Sequence, residues 1–170
     1  MDFKNYIRDI HDFPKEGIIF KDITPLLKDA EALQKTTEAL LQMVGDMAVD
    51  KVVGMESRGF FFAPLLASKL NAGFVPVRKA GKLPAATIKE TYSLEYGEDI
   101  LEIHADSIVK GERVLIHDDV LATGGTANAV CKLIKALGGE IVQCNFLITL
   151  DFLQGANQLK DYKVKSLLHY

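Results

Sequence analysis

Val114-Leu-Ile-His-Asp-Asp-Val-Leu-Ala-Thr-Gly-Gly-Thr126 sets an apolar run against two adjacent carboxylates, then a small turn rich in glycine and hydroxyls. Arg113 to His117 is β-branched and aliphatic enough for a strand buried in a parallel sheet. Asp118 and Asp119 are then expected at its carboxyl end, where open α/β sheets bind ligands. Two acids there can accept from two neighbouring hydroxyls. Ala122, Thr123, Gly124, Gly125 and Thr126 follow, offering backbone N–H groups with little side chain in the way, at the start of a helix predicted over Ala127 to Leu137. The positive end of a helix dipole suits an anion, and the whole arrangement suits a phosphorylated sugar. The plainer alternative is a solvated strand end followed by an ordinary capped helix.

The rest of the chain reads as alternating strands and helices. Leu33, Leu40, Leu41, Val44 and Met47 recur at helical spacing and predict an amphipathic helix from Asp29 to Met47. Lys51 to Met55 reads as a short buried strand, Gly59 to Leu70 as a helix and Gly73 to Val77 as another strand, a βαβ crossover. Residues 79 to 93 show neither period and read as a long loop, a feature that is usually functional. Tyr92 to Tyr96 and Ile100 to His104 read as paired strands about Gly97. After the signature helix, Gly138-Gly139 stops the chain before a strand over Glu140 to Thr149. This order implies an α/β fold, a mostly parallel twisted sheet with helices on both faces. Near the start, Asp12 to Leu27 lacks helical period and is framed by Pro14 and Pro25, which predicts an extended cap.

At 170 residues with 48% hydrophobic content, the chain is expected to be a single domain with a full core. A net charge of −3 without a basic half argues against general nucleic-acid binding. Cys131 and Cys144 fall inside a predicted helix and strand and read as buried small residues, which suits a reduced, cytoplasmic protein. Residues 1 to 11 lack the apolar run of a signal peptide, and no stretch approaches a membrane span. His11, His104, His117 and His169 are scattered without ligand spacing, so no protein-built metal site is expected.

Two further segments are expected near the acidic pair. Met55-Glu56-Ser57-Arg58-Gly59 forms a second strand-to-helix turn that would open on the same sheet edge. Ser57 and Gly59 leave amides accessible, and Arg58 supplies a planar fork for a diphosphate; the bland view makes Arg58 a surface residue. Val77 to Pro84 brings Arg78, Lys79 and Lys82 to the head of the irregular stretch. Alone that is a solvated charge run; in context it can neutralise a leaving diphosphate.

The stretch from Val114 to Thr126 resembles the phosphoribosyl diphosphate (PRPP) signature of type I phosphoribosyltransferases. A bare acidic pair after a strand also occurs in phosphoacceptor domains and magnesium-dependent phosphatases, but there it is not followed by Ala-Thr-Gly-Gly-Thr. The resemblance covers nearly the whole chain, from Phe13 to Ser166-Leu167-Leu168. Arg-Lys-x-Gly-Lys-Leu-Pro at 78 to 84, with Tyr92-Ser93-Leu94-Glu95-Tyr96-Gly97, looks like the flexible hood of the adenine-using members.

The resemblance implies one domain over 1–170, with a cap and base-recognition segment over 1–28 and a flexible catalytic loop over 78–97. It implies phosphoribosyl transfer from PRPP to adenine, giving AMP and diphosphate. Asp118 and Asp119 would hold the ribose hydroxyls, and residues 122 to 126 the 5′-phosphate. Glu56, Ser57, Arg58 and Gly59, with Arg78, Lys79 and Lys82, would meet the diphosphate, with a cis peptide near Glu56-Ser57. Adenine would stack on Phe20, be read by the backbone of Ile19 and Lys21, and be closed over by Val120. Glu95 would stand beside the purine as a proton-exchanging carboxylate; from spacing alone it is an outward strand position. Mg²⁺ is implied as a companion of PRPP rather than a protein-bound ion, and a homodimer as the assembly, with Arg78 sometimes near the partner's site. Lys21, where relatives carry arginine, and His117, where they carry an aliphatic residue, depart from the pattern. A different base (xanthine, hypoxanthine or orotate) and a non-catalytic, nucleic-acid-binding use of the fold are the competing readings.

Overall fold

The computed structural model describes residues 1–93 and 98–170. In chain order the elements are β1 (Arg8–His11), β2 (Ile19–Asp22), α1 (Thr24–Lys28), α2 (Ala30–Val44), β3 (Lys51–Met55), α3 (Ala63–Lys69), β4 (Gly73–Lys79), β5 (Thr87–Ser93), β6 (Glu98–His104), β7 (Arg113–Leu121), α4 (Gly125–Ala136), β8 (Glu140–Thr149) and β9 (Val164–His169). Among the described residues seven strands form one sheet in the order β5-β6-β4-β3-β7-β8-β9, parallel from β4 to β9. β5 and β6 join its edge antiparallel. β1 and β2 form a separate antiparallel ribbon.

Both faces of the sheet are covered, which is why its central strands carry apolar residues at successive positions. Val52 and Leu115 pack with Leu26, Leu40, Phe62 and Leu66 from α1, α2 and α3 and their flanks. Val53 and Ile116, one residue on, point into the opposite layer with Val130, Cys131 and Ile134 of α4. Cys131 and Cys144 are buried and free, as expected for small core residues.

Several boundaries differ from the expectation. β7 does not stop at His117: its ladder with β8 continues from Asp118–Phe146 to Leu121–Thr149, because backbone pairing is indifferent to a carboxylate that points out of the pleat. On its other side β3 pairs only as far as Gly54–His117, so the acidic pair sits where one neighbouring strand has ended. α4 begins at Gly125, two residues before Ala127, and the predicted helix from Gly59 is a 3-10 turn, Arg58–Phe60, with α3 beginning only at Ala63, Pro64 in its first turn. The stretch read as a loop over 79 to 93 is half strand, since Thr87–Ser93 pairs with β6 along its whole length. Within the extended cap, Thr24–Lys28 is helical: Pro25 fits the first turn, and Asp22 accepts from the Thr24 N–H at 2.9 Å. α2 is shorter than Asp29 to Met47, capped by Asp29 on the Ala32 N–H at 2.8 Å and ended by Gly45 at φ +65°.

Candidate active site

Asp118 and Asp119 lie at the mouth left by the end of β3. A cleft of about 350 Å³ opens there, lined by Glu56, Ser57, Arg58, Lys79, Tyr92, Leu101, Asp118, Asp119, Val120, Ala122 and Thr126. It adjoins a recess of about 70 Å³ bounded by Asp118, residues 120 to 124, Thr126, Ala127 and Phe146. The two share Asp118, Val120, Ala122 and Thr126, so the acidic pair stands between a large compartment and a small one. The small one faces the first turn of α4, where free amides and the helix dipole favour an anion.

Two glycines make this juxtaposition possible by close approach. A Cβ on Gly59 would come within 2.9 Å of Asp118 Oδ1 and 3.0 Å of the His117 carbonyl, so the turn after β3 nests against β7 only without a side chain. Gly124, the cap of α4, has φ +85°, and a Cβ there would strike the carbonyl of Gly155. Gly155 in turn faces the Ala122 carbonyl just as closely. The 3-10 turn Gly155–Leu159 thus backs the glycine-rich bend over residues 122 to 126, an element that no sequence motif announced.

The acids are poised by their surroundings. Burial, then the charge of Asp119, pushes the Asp118 carboxyl well above its ordinary range. Burial also raises Asp119, against the opposing pull of Arg58, whose Nε lies 2.9 Å from Asp119 Oδ2. Asp118 Oδ1 accepts from the Asp119 N–H at 2.9 Å. Immediately before them, His117 is fully buried, with Nδ1 3.1 Å from Asn145 Oδ1 and its ring edge-on to Phe62. Burial pushes it down to about 4, so it is a neutral, packed neighbour.

Arg58 connects the cleft to the N-terminal cap. Besides Asp119 it reaches the Lys21 carbonyl at 3.3 Å through a terminal nitrogen, and its guanidinium lies 4.5 Å over the ring of Phe20. Ile19, Phe20 and Lys21 on β2 are therefore tied to the acidic pair through one side chain. Phe13 packs edge-on to Phe20 at 5.1 Å. The Lys21 side chain is engaged elsewhere, 2.7 Å from Asp9 and 4.0 Å over the ring of Tyr170.

The cationic segment is gathered by Glu56. Its carboxylate accepts from the Lys79 backbone N–H at 2.9 Å, pairs with Arg78 at 3.3 Å and with Lys82 Nζ. Burial raises Glu56, but Lys82, the Lys79 amide and Arg78 outweigh it and hold the carboxyl below its ordinary range. Lys79 Nζ pairs with Asp99 at 2.9 Å, and the Tyr92 hydroxyl approaches the same acid. Tyr92 and Asp99 are cross-strand partners on β5 and β6; the sequence marked Tyr92 only as part of a motif and Asp99 not at all. The peptide between Glu56 and Ser57 is cis, as the resemblance implied. Glu95 lies outside the described residues.

A doubly covered, mostly parallel sheet, an acidic pair at a strand's open edge and a glycine-rich bend at a helix start are the features of an α/β domain with a ligand cleft at its strand ends. The chain belongs to the phosphoribosyl transferase family, whose domain matches residues 23–168. The relatives it resembles are more narrowly named. The adenine phosphoribosyltransferase of Christiangramia forsetii is 62% identical over 170 residues, all of this chain and 99% of that one. The crystal structure of adenine phosphoribosyltransferase from Rhodothermus marinus matches with a TM-score of 0.95 and 53% identity, covering 99% of this chain and 96% of that one. The Saccharomyces cerevisiae enzyme of the same name, complexed with an imino-altritol bisphosphate and adenine, matches at TM-score 0.93 and 42% identity over 98% of this chain and 97% of that one.

Proposed function

We propose that the chain transfers the 5-phosphoribosyl group of PRPP to adenine, forming AMP and diphosphate. The observation that carries this reading is the continuity of three compartments around Asp118 and Asp119: the small anion recess, the Glu56-centred cation cluster and, through Arg58, the Phe20 platform. A sugar ring on the acids, with its phosphate in the recess, would point its C1 substituent into the larger cleft.

In this reading the C1–O bond to diphosphate breaks ahead of formation of the C1–N bond, and the adenine nitrogen loses its proton. Asp118 and Asp119 hold the ribose hydroxyls and stabilise positive charge developing at C1. Residues 122 to 126 fix the 5′-phosphate through main-chain donors. Glu56 gathers Arg78 and Lys82 and fixes the Lys79 backbone, while Asp99 holds the Lys79 ammonium, so that the three cations are preorganised for the diphosphate, with Ser57 and Gly59 supplying the close backbone. Arg58, stacked on Phe20, occupies the face where the base would lie; it has to turn toward the diphosphate for adenine to stack there, between Phe20 and Val120, with the backbone of Ile19 and Lys21 at its edge. Glu95 is proposed as the carboxylate that exchanges the adenine proton.

No three His, Cys, Asp or Glu side chains converge as a metal cage among the described residues. Of the acids lining the cleft, Glu56 is held by cations and Asp119 by Arg58, which leaves Asp118 to back an ion through its waters. Mg²⁺ would fit on those terms as a companion of the substrate, and when bound it would supply neutralisation of the leaving group's charge. We further propose residues 1–28 as the base-recognition cap, residues 78–97 as a hood closing over the diphosphate, a homodimeric assembly and a cytoplasmic location. No helix among the described residues is long and apolar enough to cross a membrane.

The test is PRPP consumption with Mg²⁺ and each nucleobase in turn. Adenine alone is expected to release diphosphate and yield AMP. Turnover with hypoxanthine, xanthine or orotate but not adenine would overturn the assignment of base, and no turnover with any base would favour a non-catalytic role.

A further inference from the structure

β2, the strand proposed to read the base, belongs to a two-stranded ribbon that, among the described residues, makes no ladder with the main sheet. Such ribbons are marginal on their own, so the position of β2 relative to the cleft comes from the core packing of the ribbon's flanks, Ile7 and Ile23, and from side-chain ties. Asp22 anchors one end through the Thr24 amide, where the chain enters the core at Ile23 and Leu26; its contact with Arg8, its register partner on β1, stays within the ribbon. Arg58 provides a second tie, but it reaches β2 from the cleft that substrates would fill. Lys21 provides a third tie, and it lies outside the cleft.

The Lys21 ammonium sits between the Asp9 carboxylate at 2.7 Å and the Tyr170 ring at 4.0 Å, with its side chain only 11% exposed. Tyr170 is itself fixed to the sheet. Its N–H donates to the Thr149 carbonyl at 3.0 Å and its carbonyl accepts from Asp151 at 2.8 Å. Thr149 ends β8, opposite Leu121, the residue that leads into the anion-binding bend. Lys4 reinforces the same corner, 4.8 Å over the Tyr170 ring and donating to the His169 carbonyl at 2.9 Å. A continuous mechanical path therefore runs from the phosphate bend through β8 and Tyr170 to the main chain at residue 21. A partly desolvated ammonium over an aromatic face, with a carboxylate on its other side, is a strong and directional contact.

We infer that Lys21, held by its β1 partner Asp9, is clamped on Tyr170 and so positions the base-reading edge of β2, making Tyr170 and the Lys21 side chain positioning residues for adenine although neither ring nor ammonium lines the cleft. This rests on the reading that adenine meets the backbone of Ile19 and Lys21. The clamp acts on one substrate only: loosening it displaces the adenine edge and leaves the acidic pair, the phosphate bend and the cation cluster in place.

Steady-state kinetics of the full chain, with adenine and PRPP varied separately, test it. Tyr170→Leu and Lys21→Met are expected to raise KM for adenine about five- to tenfold, with kcat and KM for PRPP within about twofold of wild type. Tyr170→Phe keeps the ring and Lys21→Arg keeps the cation, and both are expected to return KM for adenine to within about twofold of wild type. The Tyr170→Leu/Lys21→Met double variant is expected to lose no more than the worse single one, because both remove the same contact. An unchanged KM for adenine in Tyr170→Leu and Lys21→Met, or a parallel loss in both KM values and kcat, would overturn the clamp while leaving the base assignment intact. A wild type that does not use adenine would overturn both, so the two failures are told apart by the first measurement. Should Tyr170→Leu fold poorly, the Lys21 pair carries the same comparison without touching the ring.

Discussion

Burial raises both Asp118 and Asp119, and the charge of Asp119 raises Asp118 further, so the ligand-free site disfavours two full negative charges. Substrate binding that needs both as acceptors is then expected to be coupled to proton release. Calorimetry of PRPP with Mg²⁺ at pH 5.5, run in buffers of different ionisation enthalpy, is expected to show net proton release attributable to the pair. Asp118→Asn is expected to diminish that release, and an identical value in the variant would place the proton elsewhere. In its proposed role Asp119 bears on the transition state more than on the fold. Asp119→Asn is expected to lower kcat about 100-fold, a loss typical of removing one charge-stabilising group, with the unfolding midpoint little changed. Wild-type turnover in that variant would argue against the role. Both acids were legible in the sequence because their chemistry is local, a carboxylate pair followed by a glycine-rich bend. The destination of Arg58 was not. The sequence suggested a fork for a diphosphate, but the side chain lies on Phe20 and Asp119, partners brought to it only by the fold.

At the level of elements, β3, β8 and the alternation of the parallel sheet were readable, since a strand buried on both faces carries an uninterrupted apolar run. The β5–β6 ribbon was half hidden: Gly81, Pro84, Ala85 and Ala86 gave the preceding stretch the look of a loop, while Thr87 to Ser93 pairs across strands with partners that only tertiary structure supplies. The 3-10 turn Gly155–Leu159 was wholly hidden. Its glycine is required not by a local turn but by the Ala122 carbonyl of a distant segment, and steric demands of that kind leave no periodicity. This makes Gly155→Ala a sharp probe of whether the turn shapes the phosphate bend. The added methyl has to push against backbone rather than a flexible side chain, so it is expected to cost about 1–3 kcal/mol of stability and to raise KM for PRPP more than KM for adenine. Equal effects on both substrates, or none, would detach this turn from phosphate binding.

For the whole molecule, the buried polar groups beneath the site set how stability responds to acid. His117 donates to Asn145, whose amide nitrogen donates to the Leu40 carbonyl at 3.2 Å and to Gln143; Gln143 in turn reaches the Met43 carbonyl at 3.0 Å, so a polar seam joins β7 and β8 to the end of α2. Burial lowers His117 from 6.5 to about 4 in the folded chain. Between those values the unfolded chain binds a proton that the folded one refuses. Stability from this group is therefore complete above pH 6.5 and falls as pH drops toward 4, by an amount on the order of 3 kcal/mol. The acidic pair has the opposite sign: its raised carboxyls favour the folded state at low pH and lose that contribution as pH rises through their folded values. Wild-type stability between pH 6.5 and 4 is thus a difference of two trends, and removing the histidine isolates one. His117→Val is expected to leave Asn145 short of a partner at every pH, an offset, and also to abolish the acid-dependent decline. Urea unfolding of both proteins in steps from pH 7 to 4 should show the wild-type advantage shrinking as the solution becomes more acidic. A constant difference across that range would mean that His117 takes up its proton in the folded chain as readily as in the unfolded one, and that the seam beneath the acidic pair admits water.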